Sequence, residues 1–296
     1  MMAKSKNIFV CIGAIHHDYL LNLKSNIINN RTNPIVHNSK IGGVAYNVAE
    51  LISIFEKIQF YSLSIDKEIQ NKISKNITIK KINNEKSERY YVALSDKNNK
   101  FILGLANTNV YENTKFNKAL NIVNKYIIFD LNFSKEFIEH AINKLSNKNK
   151  IVVCATSVHK VIKIKKIINQ IDIIFLNKAE LIKLTNINKI ENGVKKILKL
   201  NNKIKVIATN SKNNVIFGDN KSIIKLKPPK IKVKNENGAG DALAGMMLYL
   251  LSKGYNKEKI LKYSVACGSY YATGNRLYSK KDLLKIKNIS KRVKLK

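Results

Sequence analysis

The sequence predicts an α/β fold: a three-layer sandwich with a mainly parallel central sheet and a small β-lid. Three observations lead there. From residue 116 onward, apolar strand-like runs at Tyr126–Leu131, Ile151–Ala155, Ile171–Leu176 and Lys205–Thr209 alternate with helical stretches. Strands alternating with helices imply a parallel sheet covered on both faces. Segments 14–40 and 85–106 break that alternation, and strands projecting from a main sheet are the usual source of a lid. Finally, 296 residues with 45% hydrophobic content can bury a substantial core. No repeat or Pro/Ser-rich linker divides the chain, so the expectation is a single domain over 1–296, with lid segments at approximately 14–40 and 85–106 inserted within it.

Taken in order, Ile8–Gly13 reads as a buried first strand. Segment 14–40 is polar and loop-like, with short apolar pieces at Tyr19–Leu23 and Ile35–His37. After Gly42-Gly43, apolar positions 44, 45, 48, 51, 52 and 55 have helical spacing, which predicts a helix over Val44–Phe55. Phe60–Ser64 follows as a strand. Arg89–Leu94 and Lys100–Leu105, split by the polar turn at 95–99, read as a β-hairpin. Near the end, Leu243, Met246, Met247, Leu250 and Leu251 predict a buried helix that starts at a glycine turn.

Composition narrows the function classes. No apolar stretch reaches the roughly 18–20 residues of a membrane span, so no membrane partner is expected. Met1–Ile15 is a poor leader, because His16-His17-Asp18 is a poor cleavage site. Cys11, Cys154 and Cys267 are odd in number, widely spaced and set in apolar segments. They read as buried thiols in a reducing compartment, which makes the expected location cytoplasmic. The five histidines lack metal-ligand spacing. With 54 basic and 20 acidic residues, the formal charge is +34, a field that attracts polyanions. The lysines are dispersed among Asn and Ile, as in Lys163–Lys166 and Lys280–Lys287, without aromatic interleaving. That is the signature of compositional bias and a solvated basic surface, not of specific nucleic-acid recognition.

The chemistry concentrates at Asn237-Gly238-Ala239-Gly240-Asp241. Small residues let backbone N–H groups converge on an anion, and a helix N-terminus adds positive charge at the same spot. A first-turn acid that merely favours the helix dipole is the alternative role for Asp241. A nest plus a carboxylate is also the equipment for moving a phosphoryl group onto a hydroxyl. Asp130, Asn177, Thr209 and the 238–241 loop all follow apolar strand-like runs, which puts them at the carboxyl rim of the sheet, where α/β ligands sit.

Ordered along the chain, four motifs make it resemble the ribokinase-like (PfkB) family of carbohydrate and nucleoside kinases over nearly its whole length. They are Gly13-x-x-x-x-Asp18, Gly42-Gly43-x-x-x-Asn47-x-Ala49, Asn177-x-x-Glu180 and Gly238-Ala239-Gly240-Asp241. Within the family the likeness is to pseudouridine kinases, carried by Asn47-Val48-Ala49-Glu50, by Tyr91–Tyr111 and by Ser157-Val158-His159-Lys160. The resemblance implies a Rossmann-like, ribokinase-like fold and ATP-dependent transfer of the γ-phosphoryl group to the 5′-hydroxyl of pseudouridine. It implies Asp241 as catalytic base, and Gly238, Ala239 and Gly240 as the anion hole. It implies Asp18, Gly42, Gly43, Asn47 and Lys160 at the acceptor. Asn177, Glu180 and Thr209 would serve the nucleotide, Glu180 meeting Mg²⁺ through water. ATP and Mg²⁺ are the implied cofactors, and a monovalent cation and a homodimer are both compatible with it. Turn capping by Asp18, helix capping by Asn177 and plain surface charge at Lys160 stay open as structural roles. Two further readings also stay open: a PfkB kinase for ribose, adenosine or fructose, and a non-catalytic protein drawn to RNA by charge. The chain departs from the family at Asn235-Glu236-Asn237, where Glu236 brings negative charge near the phosphates, and at Ser211 and Asn214 after Thr209.

Overall fold

The computed structural model describes residues 8–86, 89–98, 100–116 and 120–295. The leader-like start and parts of the 85–106 segment therefore lie partly outside the described residues. The first half contains β1 (Phe9–Ile12), β2 (His16–Leu23), β3 (Ile35–Gly42), α1 (Val44–Ser53), β4 (Ile58–Ser64), α2 (Lys67–Lys72), β5 (Ile77–Lys86), β6 (Tyr90–Ser95), β7 (Phe101–Asn107) and α3 (Asn109–Asn113). Next come β8 (Tyr126–Asp130), α4 (Lys135–Leu145), β9 (Lys150–Cys154), β10 (Ile173–Asn177), α5 (Lys178–Thr185), α6 (Ile190–Leu200) and β11 (Lys205–Thr209). The chain closes with β12 (Val215–Gly218), β13 (Ile223–Lys227), α7 (Ala239–Ser252), α8 (Lys257–Ala272), α9 (Leu283–Ser290) and β14 (Lys294–Leu295).

Among the described residues the main sheet has ten strands, in the order β14-β13-β12-β11-β10-β9-β8-β1-β4-β5. The pairs from β5 through to β11 are parallel, and β11 to β14 continue as an antiparallel edge. Apolar clusters cover both faces. One holds α1, α7 and α8, and the other holds α4, α5 and α6. Central strands such as β1 and β9 are accordingly apolar at nearly every position, as burial on both faces requires.

The antiparallel edge and β5 are absent from the sequence expectation. Ile77–Lys86 alternates apolar residues with lysine and asparagine, and β12 and β13 are short, so none carries the long apolar run that marked the central strands. The stretch between β9 and β10, expected to be helical, runs as 3-10 turns over Val161–Gln170, with a break at Ile167.

A second, four-stranded sheet has the order β3-β2-β6-β7. Segment 14–40 does supply strands, as its break from the alternation suggested, but they are longer than the short apolar pieces marked in an otherwise loop-like stretch: His16–Leu23 and Ile35–Gly42 pair over their whole length. Their polar sequences disguised them. On this sheet Ile35, Val36 and Leu105 stand exposed. Parallel pairing of β2 with β6 sets Asp18 beside Tyr91.

Candidate active site

Two helix starts converge where the small sheet leaves the main one. Gly43 has φ +122°, and an added Cβ would overlap the Ala14 carbonyl, so the turn into α1 demands glycine. Its neighbour Gly42 faces Asp18 so closely that a Cβ there would overlap the carboxylate. Further along, Gly245 of α7 lies against Leu51 and the Val48 carbonyl of α1, where a side chain would crowd both. That close crossing brings the first turns of the two helices together. Asn47 Nδ2 consequently donates to Asp241 Oδ2 at 2.7 Å.

Asp241 begins the otherwise apolar helix α7, whose residues Ala242 to Leu248 are all buried. Burial pushes its carboxyl up to about 6, with Glu180 and Asp130 adding to the rise, while the Asn47 amide and the Lys40 ammonium oppose it. A carboxyl so placed is ionised at neutral pH and still basic enough to take a proton.

Gly238 has φ +80°, and no heavy atom lies within 4 Å of where a Cβ would sit on Gly238 or Gly240. The space over the turn is open. First-turn N–H groups have no carbonyl one turn back to bond, so the amides of Gly240 and Asp241 are available to an anion. Ala239 is not equivalent, since its N–H already donates to the Glu236 carbonyl at 3.1 Å. The anion cradle is therefore narrower than the motif implied.

A cavity of about 970 Å³ runs from this turn along the carboxyl ends of β10 and β11, lined by Asn177, Thr209, Ser211, Glu236, Gly240 and Leu243 among others. Thr209 lies in its wall, with its hydroxyl 3.4 Å from the Leu176 carbonyl. Glu236 accepts from Ser211 Oγ at 2.6 Å, which turns the unexpected acid toward the loop after Thr209. Asn177 and Glu180 close a capping box on α5: Asn177 Oδ1 accepts from the Glu180 amide at 2.9 Å, and Glu180 Oε2 accepts from the Asn177 amide at 2.8 Å. The helix-capping role is thus real. Yet Glu180 is buried, where a purely surface cap would be exposed, and burial raises its carboxyl. Among the described residues no three His, Cys, Asp or Glu side chains gather as a metal cage. One buried carboxylate beside an anion cradle suits Mg²⁺ carried by a nucleotide, an ion that keeps several waters and takes few protein ligands.

A second group of polar residues gathers around β2 and the segment after β8. Asp18 Oδ2 stands 3.8 Å from Lys40 Nζ, and its buried Oδ1 stands 3.0 Å from His16 Nδ1. Lys160 is no ordinary surface lysine. Its Nζ donates to Asn132 Oδ1 at 2.9 Å and lies 3.7 Å from Glu112, and burial together with the nearby Arg89 pulls it down to about 8. Asp130, at the end of β8, is fully buried, and its oxygens accept from the amides of Ala14, Ala45 and Asn132. Its place is structural, holding the β1–α1 corner. Sequence reasoning missed Lys40, Arg89 and Asn132. Two of these were hidden among 54 basic residues, and Asn132 among the many asparagines.

Comparison with known proteins decides the family. The model of the pfkB family of carbohydrate kinases matches residues 64–279, well over half of the chain. The chain belongs to that family. This kinase is also 30% identical, over 189 residues, to a pseudouridine-metabolizing bifunctional protein of Schizosaccharomyces pombe; the match covers 58% of the chain and only 25% of that relative. Among solved structures, it is similar to a carbohydrate kinase from Agrobacterium tumefaciens, with TM-score 0.80 and 19% identity, covering 98% of this chain and 100% of that one. An Arabidopsis thaliana ribokinase complexed with ribose and ATP gives TM-score 0.80 and 15% identity, covering 95% and 98%. These likenesses extend over both sheets of the fold, and membership of the family implies use of ATP. Among the described residues no helix is long and apolar enough to cross a membrane.

Proposed function

We propose that this kinase transfers the γ-phosphoryl group of ATP to the 5′-hydroxyl of pseudouridine, giving pseudouridine 5′-phosphate. One observation carries the mechanistic part of this reading. The Asn47–Asp241 pair, 2.7 Å apart, ties the start of α7, with its open glycine turn, to the start of α1, where Gly42 packs against Asp18. A hydroxyl entering from the Asp18 side and a phosphate resting on the turn would meet at Asp241.

In this reading Asp18 accepts hydrogen bonds from sugar hydroxyls, as a carboxylate with several lone pairs can do beside its His16 and Lys40 contacts. Asn47 fixes the Asp241 carboxylate and can donate to or accept from a neighbouring hydroxyl. Asp241 takes the proton of the attacking 5′-hydroxyl as the bond to phosphorus forms. The Gly240 and Asp241 amides stabilise charge that develops on the transferred group. Glu180, with Asn177 orienting it, would hold the water shell of Mg²⁺. When bound with ATP, that ion neutralises charge on the β- and γ-phosphates. Thr209 and the cavity beyond it would take the nucleotide, while the small sheet would act as a lid over the acceptor.

Support for pseudouridine comes from the fission-yeast relative and from Asn47-Val48-Ala49-Glu50 at the start of α1. The fold neighbour that binds ribose keeps a second acceptor in view. A coupled kinase assay across pseudouridine, uridine, ribose, adenosine and fructose tests the reading. Pseudouridine should give the highest kcat/KM, and a higher value for any other acceptor would replace it.

A further inference from the structure

Beneath the small sheet, just before β6, lies a charge that the reaction above does not use. Arg89 is 7% exposed, and its Nε and Nη1 are buried without a hydrogen-bond partner. Among the described residues no carboxylate comes within ion-pair range of it. Of the acids near it, Asp18 pairs with His16 and Lys40, and the other two are committed as well. Both oxygens of Glu112 accept from Lys163 Nζ, at 2.9 and 2.8 Å. The Asp130 carboxylate accepts backbone amides. What Arg89 does have is the Tyr111 ring, 6.0 Å from its Cζ, at the outer limit of a cation–π contact. Such a contact leaves the in-plane N–H groups unsatisfied.

A second unpartnered donor stands in the same cluster. Asn132 is fully buried, its Oδ1 is occupied by Lys160, and its Nδ2 has no partner. Arg89 is close enough to Lys160 for its charge to depress that ammonium, and close enough to Asp18 to feel the carboxylate. Arg89 and Asn132 thus leave three buried nitrogen donors without a partner in the cluster around Lys160. Buried polar groups are ordinarily satisfied, and a buried unpaired charge is costly. A group that satisfied these donors would offer oxygen lone pairs.

We propose that Arg89, together with Asn132 Nδ2, binds a carbonyl or carboxylate oxygen on the part of the acceptor remote from the phosphorylated hydroxyl, and so selects the acceptor. This rests on the kinase reading of the pocket given above. Two sources share that chemistry: the ring carbonyls of a nucleobase, and the carboxylate of a sugar acid. An unadorned pentose has neither.

The test is steady-state kinetics on the full chain and on Arg89→Met and Arg89→Lys, with pseudouridine, ribonate, ribose and a phenyl C-riboside as acceptors. The wild type should favour an acceptor bearing such an oxygen. Arg89→Met should raise its KM about 10–100-fold, the loss expected of a hydrogen bond to a charged group. Its kcat, and the KM for ribose and the phenyl riboside, should stay within about threefold, well inside that loss. Arg89→Lys should fall between. Thermal unfolding gives an answer independent of any acceptor. Removing an unpaired buried charge should hold or raise the unfolding temperature, whereas a structural arginine would lower it. A lower unfolding temperature in Arg89→Met, an equal loss with all four acceptors, or a wild type that prefers the oxygen-free acceptors overturns the inference and leaves the kinase reading intact. Arg89-dependent use of ribonate without pseudouridine would sustain the inference and remove pseudouridine as the substrate.

Discussion

At the start of α7 Asp241 already has its partner, Asn47 Nδ2 at 2.7 Å, whereas near the small sheet Arg89 and Asn132 keep three buried nitrogens without any. The partnered end is set before a ligand arrives, because the close crossing of α1 and α7 at Gly245 holds it. The unpartnered end is held by the scaffold at a cost that only a bound oxygen would offset. The difference separates two jobs. In the proposed reaction a preorganised carboxylate would govern the rate of transfer, and waiting donors would govern which molecule is held. Substitutions at the two ends should therefore divide between kcat and KM.

The largest effect belongs to Asp241. Asp241→Asn keeps the shape, and the new amide oxygen can still accept from Asn47, but the base is gone. General-base catalysis is worth about 10²–10⁴-fold, so kcat should fall by that amount while calorimetry shows acceptor and nucleotide still binding. Turnover within about threefold of wild type, far below that range, would break the assignment. Asp18→Ala comes next. It removes hydrogen bonds made by a charged group in the ground state, worth about 1.5–3 kcal/mol. KM for the acceptor should rise about 10–100-fold with a smaller change in kcat. A drop confined to kcat would place Asp18 with the catalytic end instead.

How far these features could be read from the sequence also differs between regions. The parallel strands were legible because burial on both faces makes Phe9–Ile12, Tyr126–Asp130 and Lys150–Cys154 into nearly continuous apolar runs. The glycine turn at 238–241 was legible because it combines two glycines, one acid and an apolar helix. Strands β2 and β3 were legible only as projecting pieces and not in their extent, because they include His16, His17, Asp18 and Lys40, residues that pattern alone assigns to a loop. Arg89 was invisible for a related reason. Its significance lies in what it fails to touch, and no spacing in the sequence encodes the absence of a partner.

A smaller effect is expected at the turn itself, and it separates strain from chemistry. Gly238 holds φ +80°, while Gly240 lies inside the first turn of α7, and both have open space where a Cβ would go. Gly238→Ala should cost about 1–2 kcal/mol of stability, the left-handed penalty for a residue with a Cβ, seen as a lower denaturant midpoint. Gly240→Ala should leave stability nearly unchanged and instead weaken ATP use, because the methyl group enters the space a phosphate would occupy. Equal loss of stability in both variants would mean that the turn is merely tight, with no anion site over it.

The finest test of the partnered end is a pH profile. Burial raises the Asp241 carboxyl to about 6, and the amide donated by Asn47 holds it from going higher. The base is the ionised form, so kcat/KM should climb as pH rises through about 6 and level off above it. In Asn47→Ala the donated hydrogen bond is lost, which favours the protonated carboxyl, and the acid limb should move to higher pH. The same variant will also lose acceptor contacts, so the height of the profile will fall with it. The position of the limb reports only the carboxylate. A limb that moves to lower pH, or does not move, would mean that Asn47 does not tune Asp241. Arg89→Met, at the other end of the pocket, should leave the limb where it is in the wild type. A shift there as well would join the two ends into one electrostatic unit and undo the division between rate and selection.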